Sequence, residues 1–131
     1  MREFEFDPSQ PAPLVRAILA GPKDAFHMRL ILDTGAHSTQ LSKAAMHSMG
    51  FNEDVSTRDA YSIGVGGARE KGFEVIVSRF FVLGAKFQDV AVCAFNMKYL
   101  EGEGADGLLG WDLISQLHLE MDGPKGLLRV F

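Results

Sequence analysis

Short apolar runs, each cut off by Gly, Pro, Asn or Asp, dominate this 131-residue sequence. Such punctuation leaves little room for sustained helical periodicity and directs the chain towards strands joined by tight turns. Arg2 to Phe6 alternates polar and aromatic residues, the pattern of an edge strand or of a strand that pairs with another subunit. Leu14 to Ala20 and Phe26 to Leu32 read as two strands around a Gly21-Pro22-Lys23-Asp24 turn. Gly72 to Leu83, rich in Val, Ile and Phe, reads as one long strand. A Gly84-Ala85-Lys86 turn leads to the next strand, ending near Phe95, and Leu127 to Phe131 reads as a terminal strand. Helix signals are confined to two places. Ser42 can cap a helix running to Met49 that Gly50 closes, and Trp111 to Leu117 has room for one or two turns after Gly110.

The length fits one compact domain spanning residues 1–131, and 47% hydrophobic against 23% charged residues is enough to build a core. A net charge of -4 argues against a phosphate-binding face, so nucleic acid is not an expected partner. The longest apolar stretch, Gly72 to Ala85, contains Glu74 and Arg79 and falls short of the roughly 18 uncharged residues of a membrane helix. Acids at Glu3 and Glu5 stand where a secretory signal needs a basic start and an apolar run, so the expected location is cytoplasmic. Cys93 is the only cysteine, which excludes an internal disulfide and any multi-cysteine metal site. Its strand-like surroundings suit a small buried hydrophobe better than a reactive thiol. His27, His37, His47 and His118 show no His-x-x-x-His spacing, and no metal or organic cofactor is implied.

Chemistry concentrates at Leu30-Ile31-Leu32-Asp33-Thr34-Gly35-Ala36, where a hydrophobic strand runs straight into an acid, a hydroxyl and a glycine. A carboxylate at the mouth of a buried strand is costly unless its environment is arranged for it. The bland reading is a strand ending in a turn, since Asp, Thr and Gly are common turn residues. Downstream, Ala105-Asp106-Gly107-Leu108-Leu109-Gly110-Trp111-Asp112 again sets apolar residues and glycine against a short helix. Between the two, Tyr61-Ser62-Ile63-Gly64-Val65-Gly66-Gly67-Ala68 is either a plain hairpin turn or a mobile lid. It is not a dinucleotide loop, because Arg69 stands where Gly-x-Gly-x-x-Gly needs its last glycine. His37-Ser38 lacks the Gly-x-Ser-x-Gly elbow of a serine hydrolase.

Asp-Thr-Gly-Ala at Asp33 to Ala36 and apolar-apolar-Gly at Leu108 to Gly110 together resemble the two signatures of retropepsin-like aspartic proteases, over roughly Phe26 to Phe131. The resemblance implies an all-β fold, a small closed antiparallel β barrel with one or two short helices, working as a homodimer. It implies an aspartic endopeptidase acting on polypeptide, with Asp33, Thr34 and Gly35 as the catalytic loop. Only one Asp-Thr-Gly is present, so a second copy must supply the facing carboxylate. By the same resemblance Thr34 cross-links the two loops and Gly35 lets its N–H approach the acid. Substrate is expected to contact Ala36, His37 and Leu109 on the floor, and Ile63, Gly64, Val65, Gly66 and Gly67 on the flap. Ala36 stands where many pepsin-like enzymes carry Ser or Thr; without that hydroxyl the ionised acid lacks one bond, implying a less acidic activity optimum than pepsin's. Trp111 replaces the Arg usual in retroviral enzymes, which points towards a cellular or bacterial branch. Asp106 and Asp112 are candidates for supporting or capping carboxylates. Two readings compete: a catalytically silent dimerisation or peptide-binding module on the same fold, and a β domain that meets Asp-Thr-Gly by accident.

Overall fold

The computed structural model describes residues 1–21, 24–63 and 66–131. Among them, strands β1 (Arg2–Glu5), β2 (Leu14–Ala20) and β3 (Ala25–Leu32) lead to β4 (Gln40–Ser42) and helix α1 (Lys43–Ser48). The chain continues through β5 (Arg58–Ile63), the long β6 (Arg69–Val82) and β7 (Ala85–Phe95). It ends with β8 (Gly107–Leu109), the single-turn helix α2 (Trp111–Ile114), β9 (Leu119–Asp122) and β10 (Leu127–Val130). The Gly21 to Asp24 turn falls partly outside the described residues.

Six strands close a barrel in the order β2-β3-β8-β4-β7-β6, with β6 returning to pair β2 and β5 attached outside β6. The barrel is antiparallel except at two pairings, β3 with β8 and β4 with β7. Both exceptions arise from one threading step. Strand β8 slots between β3 and β4, parallel to the first and antiparallel to the second, so residues 33–39 must arch over its end. Strands in a sheet lie roughly 4.8 Å apart, so this arch spans about two strand spacings.

Alternation along the strands builds two apolar clusters, one on each face. Leu30 and Leu32 of β3, Val92 and Ala94 of β7 and Leu109 of β8 enter the main core with Leu19, Leu41, Val77 and Phe80. The residues between them, Ile31, Cys93, Phe95 and Leu108, face a second cluster with Ala60, Met97, Leu100 and Ala105. Burial on both faces explains why these strands read as unbroken apolar runs and not as polar-apolar alternation. Each buried large side chain stabilises the fold by about 1.5–3 kcal/mol.

Helix α1 has only six residues and depends on packing Ala45 and Met46 into the core. Ser42 caps it as the sequence indicates, its Oγ accepting from Ala45 N at 3.1 Å. The β6–β7 turn lies at Leu83–Gly84, before the position read from the sequence, with φ of 50° and 74°. A left-handed Leu costs about 1–2 kcal/mol; Leu83 is buried, and about 1.5–3 kcal/mol from that burial offsets it. The terminal runs pair with each other within the chain: β10 lies between β1 and β9 in a three-stranded antiparallel sheet.

Candidate active site

The arch between β3 and β4 carries Asp33, Thr34 and Gly35 and is fastened at both ends to the segment that follows β8. Asp33 N donates to Leu109 O at 3.0 Å, extending the β3–β8 ladder to the acid itself. Beyond it, Trp111 N donates to Ala36 O at 2.7 Å and Asp112 N to His37 O at 3.2 Å. The fully buried Thr39 completes the fastening. Its Oγ1 donates to Asp112 Oδ1 at 2.8 Å and accepts from Gly110 N at 3.1 Å, while its N–H donates to Asp112 Oδ2 at 3.0 Å. Gly110 has no side chain because none fits: a Cβ there would lie 2.5 Å from the backbone C and O of Ser38. The apolar-apolar-Gly signature therefore has a steric cause, two leucines facing opposite clusters and a glycine over which the arch passes.

Within the arch Asp33 is half-buried, and Thr34 and Gly35 are exposed. Gly35 N donates to Asp33 Oδ1 at 2.9 Å, the one hydrogen bond to that carboxylate among the described residues. Asp106 supports the other end of β8, its Oδ2 accepting from Arg29 N at 2.9 Å. Both carboxylates flanking the apolar-Gly element thus serve the backbone, Asp112 at the arch and Asp106 at the foot of the ladder.

A groove of about 640 Å³ opens beside the arch, lined by Gly35, Ala36, His37 and Ser38 from the loop and by Tyr61, Ser62 and Ile63 from β5. Its floor is the outer side of the second cluster, Cys93, Phe95 and Leu108, with Tyr99 and Gln40 completing the walls. Burial, followed by the negative charge of Glu74, pushes the Cys93 thiol above its ordinary value, so it stays protonated, in keeping with the hydrophobe reading. Ile63 is 73% exposed at the end of β5 and faces the groove mouth. Gly64 and Val65 lie outside the described residues. Gly66 and Gly67 are exposed at φ of 90° and 85°, backbone that L side chains rarely adopt, with open space around them. Among the described residues no group of three or more His, Cys, Asp or Glu could hold a metal ion, and no helix is long and apolar enough to cross a membrane.

One expected floor residue is misplaced. Leu109 is fully buried in the main core, and it is Leu108 that reaches the groove, because neighbours on a strand point to opposite faces. Pleat alternation from Asp33 back through β3 and across to β8 carries that signal. Thr39 and Tyr99 were not singled out from the sequence. A threonine six residues past the acid and a tyrosine in a polar loop carry no distinguishing local pattern.

A family model described as aspartyl protease matches residues 17–113, and the chain belongs to that family. The fold is that of a retropepsin-like protein: the crystal structure of a retropepsin-like aspartic protease from Rickettsia conorii superposes with a TM-score of 0.69 at 17% identity, over 98% of this chain and 88% of that one. No match to the sequence was found among curated proteins.

Proposed function

We propose that this chain is an aspartic endopeptidase in which two Asp33 carboxylates, one from each subunit of a homodimer, activate a water against a peptide bond. The supporting observation is the state of Asp33 in a single chain. It stands half-buried on a rigidly fastened arch, held by one N–H, in a sequence with no second Asp-Thr-Gly. Two such groups brought together cannot both ionise cheaply, so they share a proton and titrate as a pair. The ionised partner takes a proton from water as its oxygen attacks the carbonyl carbon, and the protonated partner gives its proton to the carbonyl oxygen. Collapse of the tetrahedral species breaks the C–N bond, the amine leaves with a proton from one carboxyl, and a hydroxyl of the tetrahedral species gives its proton to the other, restoring the shared proton.

The exposed surface supports pairing on this side. Tyr61, Ile63 and Trp111 are each more than half exposed, and each lines the groove or adjoins the arch. Large apolar side chains gathered in this way mark a surface that is covered in use. Substrate would lie extended between Ile63 to Gly67 and the loop from Ala36 to His37, bound by strand addition. Residues 1–131 would act as one such domain, and an unpaired, protonated thiol at Cys93 suits the cytoplasm.

Sedimentation of the purified protein, with cleavage of a denatured protein substrate by wild type and Asp33→Asn, tests the proposal. A dimer whose cleavage disappears in the variant supports it. A strictly monomeric protein, or cleavage indifferent to the substitution, refutes it. A dimer that cleaves nothing returns the silent binding module.

A further inference from the structure

The short 3-10 segment Lys98–Glu103 presents a tyrosine in an unusual setting. Met97 and Leu100 on either side of Tyr99 are 4% and 1% exposed, both anchored in the second apolar cluster. Leu100 N donates to Met97 O at 3.0 Å and Ala105 N to Leu100 O at 3.2 Å, closing the segment into a compact turn. The backbone at Tyr99 is therefore held while its side chain is 66% exposed, and the residue lines the groove that also contains Gly35, Ala36 and Ile63. Partial desolvation, followed by the negative field of Asp33, Glu103 and Glu70, pushes its phenol above the ordinary value. The hydroxyl is thus a neutral donor at any working pH, close enough to the Asp33 carboxylate to feel its charge.

We infer that Tyr99 is a further substrate-contacting residue, its ring forming a side wall of the groove and its hydroxyl donating a hydrogen bond to the backbone of a bound peptide. A tyrosine suits this role, since it supplies a large rigid surface and a polar tip at little entropic cost. Among the described residues the groove lining contains no Asp, Glu, Lys or Arg, so the side chain received against the ring is uncharged. The inference rests on the peptidase reading and deepens it by naming what the groove selects.

Internally quenched decapeptides, varied one position at a time, test it with Tyr99→Phe, Tyr99→Ala and Asp33→Asn side by side. Tyr99→Phe keeps the wall and loses the donor, so KM should rise about 3- to 10-fold while kcat stays within about twofold. Tyr99→Ala should lower kcat/KM about 10- to 100-fold, with the loss concentrated on peptides carrying a bulky apolar residue at one position. Unchanged kinetics in both Tyr99 variants, with Asp33→Asn inactive, overturns the inference and leaves the peptidase reading intact. Undiminished cleavage by Asp33→Asn overturns the peptidase reading instead. Calorimetric titration of a statine-containing peptide reads the contact without turnover: a 3- to 10-fold weaker Kd in Tyr99→Phe, about the effect of one hydrogen bond, supports it. Equal affinity, or no binding by wild type, overturns it. Dissociation of the pair in Tyr99→Ala with KM of the remaining dimer unchanged also overturns it and assigns Tyr99 to the subunit interface.

Discussion

Asp33 and Glu74 are carboxylates on the same barrel, and their surroundings are opposites. Glu74 lies within β6, 7% exposed, and accepts from Arg58 Nε at 2.9 Å, Arg58 Nη2 at 2.8 Å and Thr57 Oγ1 at 2.9 Å. Burial alone would raise its carboxyl, but the bonds and charge of Arg58 with the Thr57 hydroxyl outweigh it and hold the group below the ordinary carboxylate range. Asp33 is more exposed and receives one N–H. A saturated buried carboxylate is held ionised near neutral pH and in one place, which suits it to fastening β5 onto β6. A group that must exchange protons in each turnover needs unfilled hydrogen-bonding capacity. Asp33, such a group under the proposed mechanism, keeps that capacity, and the backbone of the arch holds it in place.

The largest effect should follow from converting Asp33 to a group that cannot exchange a proton. Asp33→Asn retains an oxygen for Gly35 N–H, so stability should stay within about 0.5 kcal/mol while cleavage falls by about 10²–10⁴-fold. Thermal melts and peptide hydrolysis on one preparation separate the two quantities. Loss of stability parallel to loss of activity would mean that Asp33, like Glu74, is chiefly a structural acid.

Next comes the support beneath the arch. Thr39→Val keeps the shape of the side chain and removes an oxygen that serves Asp112 and Gly110 N together. Leaving a buried donor without an acceptor costs about 1–3 kcal/mol, so denaturant midpoints should drop accordingly. The arch would lose its fixed position as well, so kcat should fall with KM little changed, a pattern expected when positioning and not binding is lost. A destabilised variant with wild-type kcat would show that the backbone bonds from Trp111 and Asp112 hold the arch without Thr39.

How much of this was legible beforehand follows the range of the forces involved. Strand β2, the Ser42 cap and the long β6 could be read because turn residues, caps and apolar runs act within a few positions of the chain. Asp33 and the apolar-Gly element stood out because chemistry at a strand end and a steric glycine both leave a mark on residue type. The insertion of β8 between β3 and β4 left none, since parallel pairing across about 75 residues is decided by packing and not by neighbours. The choice of Leu109 over Leu108 failed for the same reason: alternation settles it only once the face of β3 that meets the core is known. Thr39, Tyr99 and the Thr57–Glu74–Arg58 fastening are contacts between distant segments made by ordinary residue types.

The Glu74 side of the contrast yields a smaller effect with a defined pH signature. Glu74→Gln should cost about 1–2 kcal/mol near neutral pH, kept modest because the Arg58 end of the pair is in water. A carboxyl held below its unfolded value contributes stability that is full above that value and lost as pH falls through the lowered one. Denaturation measured from about pH 6 down to about pH 3 should therefore show wild type losing its advantage and the two curves converging. A gap that persists at the acid end would mean the residue contributes through packing and not through its charge.

The smallest change tests whether the under-bonded state of Asp33 is itself tuned. Ala36 is half-buried beside the groove, its N–H already donating to Asp33 O at 3.2 Å, so Ala36→Ser adds one hydroxyl with little disturbance to the backbone. A hydroxyl that donates to the ionised carboxylate favours the ionised form. The acid limb of the kcat/KM profile should then move to lower pH while the basic limb and the maximum rate change little. The same bond would make the environment of Asp33 slightly more like that of Glu74. An acid limb that stays in place would show that the added hydroxyl has turned away from Asp33, towards the second cluster against which Ala36 packs.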